Sequence, residues 1–226
     1  MTNGPWLLMA WIIAASVLGF SISAVFSGWL KLSRRLFLVP YVALTGAFLY
    51  TFVLWNEIDL VALFARNWIW GVIAGLILGA FLVNNVRSQP ASPRSTGGGL
   101  VLDLAWLGLV YGVIDALFLN VMPVAAVWNG FLQAGWTDSW LGMIAAGVLV
   151  LGASLLVTAA YHVGYPEFRN KRVGLVLVGN ALITLAYLLS TNPLGAVISH
   201  TAMHLAAVLR GPETTIQLPP HVGYQA

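Results

Sequence analysis

The amino-acid sequence predicts an all-α protein, a polytopic membrane bundle of about seven transmembrane helices. Hydrophobic residues make up 60% of the 226 residues and charged residues only 8%, whereas a soluble domain carries about 25% charged residues. The apolar residues are gathered in long runs, and a helix needs about 20 such residues to cross a bilayer. This composition excludes an ordinary soluble domain and makes the lipid bilayer the main partner of the chain.

Seven apolar runs are candidate spanning helices. In chain order they cover residues 6–27, 36–55, 68–85, 100–122, 139–163, 173–190 and 193–209. The last run is short, and we expect Pro193 in its first turn, where a missing N–H group costs no hydrogen bond. The N-terminus lacks the basic stretch of a cleaved signal peptide, so the first run is expected to be a retained helix. The tryptophans and tyrosines are expected mostly at the two membrane interfaces.

Basic residues are distributed unevenly between the loops that join these runs. With seven spans, all of the ten Lys and Arg residues except Arg66 fall on one side. Because cytoplasmic loops carry an excess of basic residues, the sequence predicts a multi-pass protein of the cell (inner) membrane with its N-terminus outside and its C-terminus in the cytoplasm. The same bias accounts for the net charge of +3, so no nucleic-acid partner is expected. The absence of cysteine excludes disulfides and thiolate chemistry.

One segment rich in Pro, Ser and Gly divides the chain into two membrane parts. We expect three helices in residues 1–87, a cytoplasmic linker at 88–99, four helices in residues 100–210 and a cytoplasmic tail at 211–226. Glycines at four-residue spacing in the third and fourth runs indicate close helix packing. They are Gly71, Gly75, Gly79, Gly108 and Gly112. The sequence defines no oligomeric state.

Four ionisable residues lie within or at the edges of the apolar runs: Asp115, His162, His200 and His204. Such a residue at bilayer depth costs roughly 2.5–3.5 kcal/mol, which favours a partner or a function for each. His200 and His204 are four residues apart and share one helix face, an arrangement that can hold a metal ion. Asp115 lies three residues after Gly112 and is expected to face the packed side. The predicted topology lets all four residues line one cavity that opens to the cytoplasm.

Each polar residue of these runs also has a purely structural interpretation. His162, near the end of its run, is typical of a histidine that bonds a backbone carbonyl, and Asp115 can serve as a hydrogen-bonding group alone. Asn180 is expected to join two helices by hydrogen bonds. Asp103 is expected in the first turn of its helix, where a carboxylate favours the helix dipole.

Three short motifs on successive runs carry a resemblance to a known family. IDALFLN occupies residues 114–120, TAAYH occupies 158–162 and SHTAMHL occupies 199–205. With these motifs, residues 100–210 resemble the CAAX-protease and bacteriocin-processing (CPBP) intramembrane proteases, which carry an EExxxR helix, an FxxxH helix and an HxxxN or HxxxD helix. The resemblance implies a peptidase whose acid and histidines activate water and act on a membrane-embedded or lipidated peptide.

The resemblance makes four residues candidate catalytic groups. Asp115 matches the second glutamate of the first motif, and His162 matches the histidine of the second. His200 matches the histidine of the third motif, and His204 replaces its Asn or Asp. The chain departs from the family at three further positions. These are Ile114 in place of the first glutamate, Leu119 in place of the arginine and Thr158 in place of the phenylalanine.

Three classes of function remain open from the sequence. The first is an intramembrane hydrolase with Asp115 as general base, assisted by the histidines; one version places zinc on His162, His200 and His204. The second is a non-catalytic member of the family that serves as a scaffold, an immunity protein or a subunit of a membrane complex. The third is a redox subunit with haem bound between His162 and one histidine of the last helix.

Overall fold

The structure, a computed structural model, describes residues 5–213 and 216–218, with side chains from residue 9 onward. Over these residues the chain forms helices and turns without a β-strand. The predicted all-α fold is therefore confirmed. Most of the predicted tail, including His221, lies outside the described residues.

Eight helices follow one another along the described chain, and two of them contain π-helical stretches. They are α1 (Pro5–Ile22, continuing as the π-helix Ser23–Trp29), α2 (Arg34–Trp55), α3 (Leu60–Ala65), α4 (Trp68–Ser88), α5 (Gly97–Gln133), α6 (Trp140–Gly164), α7 (Arg172–Ser190) and α8 (Leu194–Arg210).

Each predicted apolar run forms a helix. Within the described residues, α1, α2, α4, α5, α6 and α7 are each long and apolar enough to cross a membrane. Helix α8 has 17 residues and is about 25 Å long at 1.5 Å per residue, against about 30 Å for the hydrocarbon core. The outer surface of the bundle is strongly apolar, with large side chains such as Trp70, Leu76 and Val148 exposed, as a lipid environment requires.

The fourth run differs from its predicted bounds because α5 is a continuous helix of 37 residues. The prediction stopped at residue 122, but the following apolar segment Met122–Gln133 remains helical, although Pro123 stands inside α5 and removes one N–H group from it. The helix also begins earlier, at Gly97, so Asp103 does not lie in its first turn. Asp103 instead accepts a hydrogen bond from the Arg35 guanidinium at 2.7 Å.

The loops after α1, α4, α6 and α8 meet at one end of the bundle, here named the basic end. There the Arg210 guanidinium donates to the Gln89 carbonyl at 2.8 Å, and Gly28 lies against Pro166. At the opposite end Asn192 donates to the Arg66 carbonyl at 2.6 Å. The grouping of nine basic residues at one end, which the loop charges predict, is present in the structure.

Helix α8 is central to the packing and touches α4, α5 and α7. The glycine seam of α4 faces it: a Cβ added at Gly75 would lie 2.8 Å from the Ile198 Cβ, and one at Gly79 would lie 3.4 Å from the Ala202 Cβ. Helix α1 approaches α6 as closely, with the Ser23 hydroxyl donating to the Tyr161 carbonyl at 2.6 Å. Helices from before and after the 88–99 linker therefore pack against one another.

Candidate functional site

The Asp115 carboxylate lies at the centre of a buried polar cluster, with its residue only 2% exposed. It belongs to an α-helical stretch of α5, Tyr111–Ala116, with π-helical turns on both sides at Leu104–Val110 and Leu117–Val121. Such turns are frequent at functional sites. Three residues before Asp115, Gly112 lets α5 approach α8, since a Cβ there would lie 2.8 Å from the Thr201 Cα.

Three side chains from two other helices converge on this carboxylate. The Tyr41 hydroxyl of α2 donates to Asp115 Oδ1 at 2.5 Å. On α8, His200 Nε2 lies 3.1 Å from Asp115 Oδ2, and His204 Nε2 lies 3.6 Å from the same oxygen. Asp115 and His200 therefore lie at the same depth in the bundle.

The two α8 imidazoles share one helix face, as their spacing predicts. The rings of His200 and His204 stack with centroids 4.9 Å apart and planes 10° from parallel. The Tyr111 ring packs edge-to-face against His204 from the other side, with ring centroids 4.7 Å apart. Neither ring nitrogen of His204 has a hydrogen-bond partner among the described residues, although the residue is only 2% exposed.

A relay of hydrogen bonds fixes which nitrogen of His200 carries a proton. Its start is the Leu119 carbonyl, which can only accept, and the Ser154 hydroxyl donates to it at 2.6 Å. Ser154 Oγ then accepts from the Asn180 amide at 3.0 Å, and Asn180 Oδ1 accepts from the Asn120 amide at 2.8 Å. Asn120 Oδ1 remains as acceptor for His200 Nδ1 at 3.0 Å. His200 Nδ1 therefore carries a hydrogen, and Nε2 faces Asp115.

The local sequence explains why the Leu119 carbonyl takes its hydrogen bond from another helix. Pro123 lies four residues after Leu119 and has no N–H group, so the usual helical bond to the Leu119 carbonyl cannot form. A buried carbonyl needs a donor, and Ser154 supplies one. Asn180 joins α7 to α5 and α6, which confirms its predicted role between helices. Thr184 adds a further acceptor for the Asn120 amide at 2.9 Å.

His162 lies apart from the Asp115 cluster in its hydrogen bonding. Its Nδ1 donates to the Thr158 carbonyl at 2.8 Å, one turn earlier on α6, which is the structural role that its position predicts. Its ring packs edge-to-face on Phe168, with centroids 5.2 Å apart. Since Nδ1 carries the hydrogen, Nε2 is the ring nitrogen left to accept a proton.

Buried tyrosines surround the carboxylate on its second side. The Tyr41 ring packs on Tyr111 and Tyr161, with centroids 5.3 and 5.4 Å apart. The Tyr111 and Tyr161 hydroxyls are 3.0 Å apart, and the Tyr165 hydroxyl donates to Tyr161 at 2.6 Å. Desolvation by burial raises the pKa of Tyr165, which lies in the loop after α6, so its hydroxyl stays protonated. The interface prediction is wrong for these tyrosines, which are buried in the core.

A cavity of about 530 Å³ connects the cluster to the basic end of the bundle. Asp115, His162, His200 and His204 all line it, so the four residues share the single cavity that the topology predicts. The Thr158 hydroxyl also lines it and is a buried polar atom without a hydrogen-bond partner among the described residues. This size is typical of small-molecule and peptide side-chain sites.

The lining of the cavity combines polar and apolar side chains. Near the basic end it includes Ser88, Gln89 and Gln217. On α7 it includes Leu175 and Val178, which are 65% and 62% exposed. The lining therefore joins polar groups of the basic end with exposed apolar side chains of α7.

A metal ion could be held by one group of side chains in the described chain. The ligand atoms of Asp115, His200 and His204 all lie within 4.8 Å of one another. The sequence-based zinc set combines His162 with the two α8 histidines, whereas the structure places Asp115 beside that pair and ties His162 Nδ1 to its own helix.

Sequence reasoning missed the residues that support the cluster. Tyr41 precedes Asp115 by 74 residues, and Ser154 and Asn120 act only through contacts between helices. The sole local signal was Pro123, whose missing N–H group predicts an unsatisfied carbonyl at Leu119.

Comparison with known proteins gives no relative: no family model, curated protein or solved structure matches this chain.

Proposed function

We propose that this integral membrane protein is an intramembrane hydrolase of the peptidase class, similar in chemistry to the CPBP proteases that residues 100–210 resemble. The observation that carries the proposal is the Asp115 carboxylate with two imidazoles on one oxygen, at 3.1 and 3.6 Å, at the inner end of a cavity. A buried carboxylate with imidazoles at hand is a common device for activating water. A carboxylate with a purely structural role needs hydrogen-bond donors, but it does not need to line a cavity.

Two of the positions that depart from the family motifs adjoin groups that fix Asp115 and His200. Ile114 leaves Asp115 as the one acid of the first motif, but the Tyr41 hydroxyl donates to its Oδ1 and orients it. Leu119 replaces the family's arginine, and its side chain is 1% exposed. The backbone carbonyl of Leu119 anchors the relay that sets His200.

The proposed reaction is hydrolysis of an amide bond. A water in the cavity gives one proton to the Asp115–His200 pair, and its oxygen bonds to the amide carbon. The C–N bond then breaks, and the departing nitrogen takes up a proton, for which His162 Nε2 is a suitable shuttle. One water is consumed, and the products are a carboxylic acid and an amine. The buried site favours this chemistry because charge interactions are stronger where bulk water is excluded.

The cavity favours a substrate that is partly embedded in the membrane. Its exposed apolar lining residues, Leu175 and Val178, give an apolar segment or lipid anchor a route from the bilayer, and the polar lining at the basic end suits a peptide backbone. Under the positive-inside rule the basic end is cytoplasmic. We therefore infer that the substrate approaches from the cytoplasmic leaflet, with the N-terminus of the enzyme outside.

Hydrolysis in labelled water tests the proposal. The purified protein in liposomes is incubated with apolar transmembrane peptides, with and without a lipid anchor, in water enriched in heavy oxygen. Mass spectrometry should find one heavy oxygen in each new carboxyl group. Asp115→Asn should lower the rate at least about 100-fold, since general base catalysis contributes that much or more. Asp138→Asn, at an exposed acid outside the site, is the matched control and should match wild type.

Two results would favour the other classes of function. If wild type yields no labelled product, or Asp115→Asn yields as much, the hydrolase proposal fails and a scaffold, immunity protein or complex subunit becomes the better interpretation. If the protein in native membranes shows a haem Soret band that His162→Ala removes, the redox interpretation replaces it.

A further inference from the structure

Two acceptor atoms face each other at the centre of the site. The relay from the Leu119 carbonyl places the hydrogen of His200 on Nδ1, so a neutral His200 presents a lone pair at Nε2. That lone pair lies 3.1 Å from Asp115 Oδ2, the oxygen of a carboxylate whose other oxygen accepts from Tyr41. Two acceptors at this distance repel unless a cation, either a proton or a metal ion, lies between them.

The surroundings of His204 favour a metal ion over a proton at this position. One proton joins His200 to Asp115 but leaves both ring nitrogens of His204 without a partner in a 2% exposed residue. A buried polar atom without a partner is costly and needs an explanation. His204 Nε2 is 3.6 Å from the same Asp115 oxygen. A metal ion bound by both Nε2 atoms and the carboxylate gives His204 Nε2 a partner and separates the facing lone pairs of His200 and Asp115. His204 Nδ1 keeps no partner among the described residues.

Two of the three distances between ligand atoms agree with a tetrahedral zinc site. Metal–ligand bonds of about 2.0–2.2 Å place neighbouring ligand atoms about 3.3–3.5 Å apart. The separations of 3.1 and 3.6 Å from Asp115 Oδ2 bracket that value, and the three ligand atoms all lie within 4.8 Å of one another. Three protein ligands leave a fourth position for water or substrate, on the side where the cavity lies.

The hydrogen bonds of His200 and Asp115 have the form usual for the second shell of a metal site. A histidine that binds a metal through Nε2 usually donates its other N–H to a carbonyl or carboxylate, which fixes the tautomer. His200 donates Nδ1–H to the Asn120 amide oxygen at 3.0 Å. The ligating carboxylate is itself hydrogen-bonded, by the Tyr41 hydroxyl at 2.5 Å.

We propose that Asp115, His200 and His204 bind one zinc-class divalent cation, with Tyr41 and Asn120 as its second shell. The use of that ion in hydrolysis rests on the proposed function, whereas its binding does not. With the ion bound, Asp115 Oδ2 and His200 Nε2 would be ligands and would no longer accept the proton of the water; the ion would instead lower the pKa of the water that it binds. His162 stays outside the ligand set.

Metal content measured on purified protein tests this assignment. The full chain is purified in detergent without chelators or a polyhistidine tag, stripped, and reloaded with zinc alone. Wild type and His162→Ala should hold about one zinc per chain, whereas His204→Gln and Asp115→Asn should hold less than about 0.2, since each loses one of three ligands. Cobalt should give the visible absorption of a tetrahedral site in wild type and in His162→Ala, but not in His204→Gln or Asp115→Asn. Asn120→Leu should weaken zinc binding about 10–100-fold.

Folding is checked by the size-exclusion profile and by helical circular dichroism. A variant that binds no zinc is taken as evidence for the ligand set only when its profile and its spectrum match those of wild type. Less than about 0.2 zinc per folded wild-type chain after reloading overturns the metal assignment, as does an equal loss in His162→Ala. Zinc-free protein that still hydrolyses peptides leaves the proposed function standing without the metal. Tight zinc binding at these three residues without hydrolysis leaves the metal site standing without the function.

Discussion

Tyr41 and Asp115 form a 2.5 Å hydrogen bond between helices α2 and α5, across 74 residues of sequence. Both residues are almost fully buried, at 0% and 2% exposure. Removing the donor leaves one carboxylate oxygen without its partner, and second-shell losses of this kind cost about 10–100-fold in activity or metal affinity. Tyr41→Phe should therefore lower both hydrolysis and zinc affinity by that factor.

Tyr187→Phe is the control for the loss of a buried tyrosine hydroxyl, since Tyr187 lies on α7 outside the cluster. It should change neither activity nor zinc content. Equal effects of Tyr41→Phe and Tyr187→Phe would assign the loss to packing and not to the carboxylate.

The relay through Asn120 should behave as one energetic unit. Ser154→Ala removes the donor to the Leu119 carbonyl and the acceptor of Asn180, and interhelical hydrogen bonds in membrane proteins contribute about 0.6–2 kcal/mol each. We expect Ser154→Ala and Asn120→Ala each to lower the free energy of unfolding by about 1–2 kcal/mol. The double variant should lose less than the sum of the two, because residues in one network are not additive.

Reversible unfolding in mixed micelles measures these values. A double variant whose loss equals the sum of the single losses would show that Ser154 and Asn120 act independently, and the assignment of the His200 hydrogen to Nδ1 would lose its basis. The Asn120→Ala single variant should also perturb the nitrogen resonances of His200, whereas Asn170→Ala in the α6–α7 loop should not.

Local spacing was sufficient to predict part of this site. The four-residue interval of His200 and His204 fixes their common face, and Gly112 places Asp115 on the packed side of α5, because both relations depend only on helix geometry. Tyr41 and Ser154 could not be found this way. A lipid-embedded helix is apolar on every side, so its sequence does not show which side faces which neighbour. The choice of neighbouring helices comes from packing over the whole bundle.

Gly112 should be essential for the approach of α5 to α8. An added Cβ would lie 2.8 Å from the Thr201 Cα, a backbone atom that cannot move without the helix, and 3.4 Å from the His204 Cβ. Overpacking of this kind costs about 1–3 kcal/mol. Gly112→Ala should lower the free energy of unfolding by that amount. It should also reduce zinc content, because the added Cβ pushes α5 from α8 and so moves Asp115 away from both imidazoles. Gly147→Ala on α6, where an added Cβ meets nothing within 4 Å, should leave both unchanged.

The proposed route between α4 and α7 can be blocked at Gly179. This glycine lines the cavity, and an added Cβ there meets nothing within 4 Å. Gly179→Phe protein that matches wild type in size-exclusion profile and zinc content should have a KM for apolar peptides raised at least about 10-fold, since the ring fills the proposed route. Gly174→Phe on the same helix has equally open space but lies away from the cavity lining and should behave as wild type. Unchanged KM in Gly179→Phe would rule out this route.

The orientation of the bundle can be read with single cysteines, because the natural chain has none. Ala91→Cys reports on the basic end, in the linker after α4, and Asp138→Cys reports on the opposite end, between α5 and α6; both positions are exposed. With basic loops in the cytoplasm, a membrane-impermeant maleimide should label Asp138→Cys on intact cells. It should label Ala91→Cys only after the membrane is opened. The reverse pattern would place the cavity mouth on the outer face and contradict cytoplasmic entry of the substrate, while the Asp115 cluster would be unaffected.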